Sequence, residues 1–153
     1  MTEKEVKLLE IAKEIIELNK FGCLDLKLTG SLMLAHMGIN KRREANDIDF
    51  LVADYAIAEV GNELCPILPD GFQMDYEGKR SCPTAIKFIN SVSNLSIDFL
   101  PTHEGSEIVD GINCSDVGYL IQAKEMIIEQ TPYEETAIKH IEDLEYLYKH
   151  NDF

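Results

Sequence analysis

Long apolar runs are missing from this 153-residue chain; the longest are about four residues, such as Phe50-Leu51-Val52-Ala53. A bilayer-spanning helix needs roughly 20 such residues, so no membrane crossing is expected. The start, Met1-Thr2-Glu3-Lys4-Glu5-Val6, lacks the basic-then-apolar pattern of a secretory signal, and a cytoplasmic location is expected. Cysteine is scarce. Cys23, Cys65, Cys82 and Cys114 form no C-x-x-C pair, which argues against a zinc site and for reduced, mostly buried thiols. There is no G-x-x-x-x-G-K-[ST] segment, so a P-loop nucleotide site is excluded. Positive charge is also short: 14 Lys+Arg face 28 Asp+Glu, a net charge of −14. A field of that sign repels nucleic-acid backbones at long range and suits cations or a basic partner, although most such charges simply solvate a surface.

What is present is globular: 45% of the residues are apolar and 27% charged, a balance that supports a core. The length fits one domain over 1–153. Leu8, Ala12, Ile15 and Leu18 recur at helical spacing, predicting a helix over 3–20 that Phe21-Gly22 stops. Cys23–Leu28 alternates as a half-buried strand, and Thr29-Gly30-Ser31 turns into a short helix, Leu32–Met37, closed by Gly38. Residues 39–46 read as a loop. Ile48–Val52 reads as a strand, followed by a helix capped by Asp54 and running to about Leu64. Phe72–Tyr76, Thr84–Ile89 and Leu95–Leu100 are three further candidate strands, with Gly78 and Asn94 near the turns. Ser115 is a candidate cap for a helix through Glu129, and a last helix runs from Thr131 or Tyr133 to about Tyr148, with Tyr146 and Tyr148 as packing residues. This order predicts an α/β (α+β) fold: a mixed β-sheet flanked by helices, with a C-terminal helical segment over about 113–150.

Three small groups carry chemistry. Gly30-Ser31 opens a helix after a strand, where glycine admits a close ligand and free N–H groups meet phosphate. By itself such a turn is more often structural. Asp47 and Asp49 lie two apart in a strand and so share a face, while Ile48, Phe50 and Val52 take the other. Two carboxylates held together repel, and a proton or a cation between them relieves it; oxygen ligands of this kind suit Mg²⁺. The bland alternative is a strand end in solvent. Asp98 sits in Leu95-Ser96-Ile97-Asp98-Phe99-Leu100, an acid in a strongly apolar strand that calls for a partner. Lys41-Arg42-Arg43 is the one dense basic cluster, read either as a phosphate clamp or as a solvated loop. Lys124 reads as a surface lysine, and Asp143 as a helix-surface acid.

Taken together, Gly30-Ser31, a helix, Asp47-Ile48-Asp49 and a later Asp98 resemble the nucleotidyltransferase superfamily, the fold of DNA polymerase β and the antibiotic nucleotidyltransferases. The resemblance covers about residues 22–101. Arg43, four residues ahead of Asp47, together with Lys124 and the segment Lys139-His140-Ile141-Glu142-Asp143-Leu144, is similar to the abortive-infection AbiE toxin type; His140 stands where that branch often has an acid. The resemblance implies NMP transfer from an NTP to a hydroxyl acceptor (a tRNA end, a protein or a small molecule) with release of pyrophosphate, in a toxin–antitoxin or phage-defence setting. It implies Asp47, Asp49 and Asp98 as catalytic residues holding two Mg²⁺ or Mn²⁺ ions, and Gly30, Ser31, Arg43 and Lys124 as the nucleotide-binding set. The competing expectation is an inactive member of the same fold serving as a nucleotide-binding or protein-interaction module, with a separate protein partner. A plain α/β domain whose acids are solvated is the third reading.

Overall fold

The structure, a computed structural model, describes residues 1–20, 24–77, 84–102 and 106–153. The expected helix stop at Phe21-Gly22, the strand start at Cys23 and the turn at Gly78 lie outside the described residues, as do Cys82 and His103.

Helix α1 spans Glu3–Leu18. Its start is a reciprocal cap: Glu5 N–H donates to Thr2 Oγ1 at 3.2 Å, and Thr2 N–H donates to Glu5 Oε1 at 3.0 Å. Leu8, Ala12 and Ile15 are buried as the period requires, whereas Leu18 is half exposed. Strand β1 is shorter than expected, Lys27–Thr29 instead of Cys23–Leu28. Leu24, Leu26 and Leu28 are all buried, so the alternation holds. The Leu24 carbonyl, however, accepts from the Asn19 side-chain amide at 2.9 Å, a contact that ties this segment to the end of α1.

Helix α2, Gly30–Met37, starts two residues before the expected Leu32, and Gly38 ends it in the left-handed region. Strand β2 runs Ile48–Ala53. The expected continuous helix after it is a 3₁₀ turn, Asp54–Glu59, followed by the short α3, Val60–Leu64. Asp54 is not the cap; it lies in the first turn, where its acid is still favoured. Strands β3, Phe72–Met74, and β4, Ile86–Asn90, precede β5, Leu95–Thr102. A hairpin of β6, Glu107–Val109, and β7, Ile112–Cys114, was not anticipated. It turns at Asp110-Gly111, both at positive φ, and its three-residue strands are too short for a readable period. Helices α4, Val117–Gln130, and α5, Glu134–His150, close the chain. Asp116, not Ser115, caps α4: its side chain accepts from Tyr119 N–H at 2.6 Å.

Among the described residues the seven strands form one mixed sheet in the order β3-β4-β5-β2-β1-β7-β6. The centre is the parallel pair β2–β5. Phe50 of β2 stands in register with Phe99 of β5, their rings stacked at 5.6 Å, and Phe88 of β4 meets Phe99 edge-on at 5.8 Å. Leu8 and Ile15 of α1 and Leu32 and Met33 of α2 belong to the same buried cluster. Because side chains alternate along a strand, burying the phenylalanines on one face presents the neighbouring aspartates on the other.

Candidate active site

The register of the two central strands decides the site. Asp49 of β2 is the direct partner of Asp98 in β5, so two carboxylates from distant sequence stand side by side, about one strand spacing of 4.8 Å apart at the backbone. Across the sheet the same row continues to Lys87 of β4, opposite Asp98, and to Thr29 of β1, opposite Asp49. Asp47 precedes β2, and Ser96 holds it: the Ser96 hydroxyl donates to Asp47 Oδ1 at 2.6 Å. Ser96 is a positioning residue that sequence reasoning missed. Its signal was present, since it lies two before Asp98 and therefore on the same face of β5. Burial, and then the Asp98 and Asp47 charges, push the Asp49 carboxyl up to about 8, while Lys124 and Lys139 act to lower it.

Gly30 and Ser31 open α2, whose first N–H groups have no partner within the helix. Gly30 has φ +73°, and a Cβ there would collide with the Asp49 carboxylate. Only glycine permits both that backbone and that approach, which brings the helix start directly against the acids. Thr29 Oγ1 and Ser115 Oγ lie 2.9 Å apart, both residues buried, and Ser115 N–H donates to the Leu28 carbonyl, so the β7 end anchors this turn.

The basic cluster divides. Lys41 pairs with buried Glu5 of α1, which also accepts from Ala45 N–H at 2.9 Å; these contacts hold the Glu5 carboxyl down at about 2 despite its burial. Arg42 Nη1 meets Glu142 at 3.0 Å, and its Nε donates to Asp143 Oδ1 at 3.0 Å. Arg43 binds Asp143 with two donors, Nε to Oδ1 at 3.1 Å and Nη2 to Oδ2 at 2.7 Å. Of the three, Arg43 alone lines the main cleft, so a three-residue phosphate clamp is not what the fold builds.

Two surface assignments also change. Asp143 is a buried hub that gathers Arg42, Arg43 and Lys124, and although burial opposes its charge, these cations hold its carboxyl down at about 2. Lys124 is buried, with Nζ 3.4 Å from Asp143 Oδ2 and 3.2 Å from His140 Nδ1, and burial lowers its pKa. His140 is lowered to about 4, by burial first and then by Lys124 and Lys139. Tyr148 proves exposed, while Tyr146 stacks on His150 at 4.0 Å.

A cleft of about 240 Å³ collects Gly30, Ser31, Arg43, Asp47, Asp49, Asp98 and Lys124, the residues that the family resemblance implies. Lys87, Lys139 and His140 join them from β4 and α5. Its floor is the carboxylate row, and its wall is the α4–α5 hairpin. Among the described residues no group of three or more acids, imidazoles or thiols is placed to hold a metal ion by itself. The donor set is instead a crowded row of oxygen ligands beside a phosphate-suited helix start. That chemistry fits a hard divalent cation whose remaining ligands come from substrate phosphates.

The mixed sheet, with its flanking helices and helical C-terminal segment, has the fold of solved nucleotidyltransferases. A Thermotoga maritima protein described as a nucleotidyltransferase superposes with a TM-score of 0.58 at 17% identity, over 97% of this chain and 94% of that one. An H. pylori protein of the same description gives 0.56 at 14%, over 98% and 70%. The antibiotic-resistance factor ANT(2'')-Ia gives 0.60 at 12%, over 90% and 82%. No family model and no curated protein matches the chain.

Proposed function

We propose that this protein is a metal-dependent nucleotidyltransferase that moves an NMP from an NTP to a hydroxyl acceptor and releases pyrophosphate. The observation that carries the reading is the register that sets Asp49 beside Asp98, with Asp47 fastened by Ser96 and the α2 start packed on Asp49. Gly30 N–H and the N–H and hydroxyl of Ser31 bind the β and γ phosphates, where the helix start favours anions. Arg43 and Lys124, held by Asp143, add positive charge on the opposite wall. Asp47, Asp49 and Asp98 would hold Mg²⁺ or Mn²⁺, two ions with substrate phosphates completing their ligands, and these would supply charge neutralisation at the attacking and leaving oxygens. Asp98 also accepts the proton of the acceptor hydroxyl. We further assign the chain to the AbiE-like branch and a toxin–antitoxin or phage-defence role. Lys139 and His140 line the cleft with Arg43 and Lys124, and Asp143 of the same segment pairs with both cations; this supports that assignment.

Thermal unfolding with each NTP, with and without Mg²⁺ or Mn²⁺, tests the reading. Ligand at about 100 times Kd adds about 2.7 kcal/mol, or on the order of 5–10 °C for a chain of this size. The shift is expected to require metal and to vanish in Asp47→Asn/Asp49→Asn. Labelled-NTP transfer is expected to fall at least about 100-fold in Asp49→Asn, with the fold intact. No shift with any nucleotide, or full transfer by Asp49→Asn, overturns it.

A further inference from the structure

The wall of the cleft is polarised, and its far end has no role in the chemistry above. Helix α4 and its cap bring Lys124, Ile127 and Thr131 to the cleft, spaced three and four apart as one helix face requires. The antiparallel α5 and its cap bring His140, Thr136 and Tyr133 in the same spacing. Both rows therefore begin at a nitrogen-bearing side chain beside the acids and end on uncharged groups: an aliphatic side chain, two hydroxyls and one aromatic ring. At the helical rise, Thr131 lies about 10 Å along α4 from Lys124, and Tyr133 about 10 Å along α5 from His140. That reach suits a ribose joined to a base.

We infer that Ile127, Thr131, Tyr133 and Thr136 form the nucleoside-binding end of the cleft, with the Tyr133 ring as the platform for the base. This rests on the nucleotidyltransferase reading and deepens it. A ligand that is polyanionic at one end and flat, neutral and polar-edged at the other matches both ends of the wall. Tyr133 is built for such a contact. Its N–H donates to Thr131 Oγ1 at 3.2 Å, and its carbonyl accepts from Thr136 and Ala137 N–H at 3.1 and 3.2 Å, so its backbone is pinned. The residue itself remains 39% exposed. A ring with two rotatable bonds on a fixed backbone loses little freedom on stacking. Thr131 and Thr136 place hydroxyls at hand for the polar edges of sugar or base.

The test compares the full chain and its Tyr133→Ala and Tyr133→Phe variants by calorimetric titration, with Mg²⁺, against the four NTPs and inorganic tripolyphosphate. Tyr133→Ala is expected to weaken NTP binding roughly 5- to 100-fold, the range for losing one base–aromatic stack. Tripolyphosphate affinity is expected to stay within about twofold, and Tyr133→Phe to bind NTP like the parent. Equal NTP affinity in Tyr133→Ala and the parent, with tripolyphosphate still bound, overturns the nucleoside assignment alone. So does an effect of Tyr133→Ala confined to the KM of the acceptor. Tripolyphosphate weakening in parallel with NTP also overturns it, as a general distortion of the cleft. Neither ligand binding to the parent overturns this inference together with the transfer reading.

Discussion

Gly30 shows how much of this site rests on one side chain that is not there. Its φ of +73° and its contact with Asp49 make two demands, and Gly38 makes only the first: φ is +72°, with open space around the Cβ position. The pair separates backbone strain from steric collision. Gly38→Ala is expected to cost about 1 kcal/mol of stability, from strain alone. Gly30→Ala is expected to cost about 1–3 kcal/mol more, because Asp49 must shift within a packed sheet, and to lose metal-dependent nucleotide binding as well. Urea unfolding of the two variants measures the difference; equal costs would refute the collision. At this scale the sequence was most informative. Asp47, Asp49 and Asp98 were legible because strand alternation puts acids and core residues on opposite faces. Ser96 shares the Asp98 face of β5, but that it holds Asp47, 49 residues away, is settled only by the pairing of β2 with β5.

Among the elements, the Asp143 hub joins the loop before β2 to α4 and α5, linking the basic cluster to the helical wall. Asp143 titrates at about 2 against an ordinary 3.8, and Glu5 at about 2 against 4.5. Both folded values lie below the unfolded ones, so their contribution is complete above pH about 4.5 and is lost as pH falls toward 2. For Asp143 it is about 2 kcal/mol. His140, lowered from 6.5 to about 4, is neutral in the fold while the unfolded chain takes up its proton. Taken alone, His140 makes stability decline as pH falls from about 6.5 to 4, while Asp49, raised to about 8, acts in the opposite direction over the same range. Urea unfolding from pH 7 to 2.5 reads each contribution as a difference from the parent: His140→Gln is expected to gain stability relative to the parent as pH falls from about 6.5 to 4, and Asp143→Asn to lose the decline toward pH 2. Asp143→Asn is further expected to cost about 2–3 kcal/mol at pH 7, since it takes the carboxylate from Lys124 and Arg43 and leaves Arg42 with Glu142 alone. Variant profiles that run parallel to the parent's in both ranges would refute this account. Sequence patterns identified α5, yet Asp143 read as a surface acid, because a helix period shows which face is apolar and not which polar residue meets cations from a loop 100 residues away. The helix after β2 failed for a related reason: short 3₁₀ and α turns share the same local signals.

For the molecule as a whole, 28 acidic against 14 basic residues leave a net charge of −14, and the fold adds crowding at Asp47, Asp49 and Asp98. General repulsion between exposed charges is screened by salt, while the pairs made by buried Asp143 are screened far less. The thermal midpoint is therefore expected to rise as ionic strength goes from about 10 to 150 mM. Millimolar Mg²⁺ is expected to raise it further at matched ionic strength, and Asp47→Asn/Asp49→Asn to erase only that additional part. A midpoint that falls with added salt would mean that favourable pairs outweigh the repulsion.

By itself the sequence determined what local chemistry can determine. Periodicity set most of the helices and the central strands, alternation set the two faces of β2 and β5, and Gly30-Ser31 marked the phosphate-suited turn. Tertiary structure alone decided which strands are neighbours. That choice brought Asp98 next to Asp49, Lys87 next to Asp98, and the unanticipated β6–β7 hairpin against β1. It also placed Arg43, Lys124 and Tyr133 in one cleft. The reason is physical: side-chain direction repeats along a few residues of backbone, whereas strand order and ion-pair partners are settled by packing across the whole chain, where many pairings share the same local pattern.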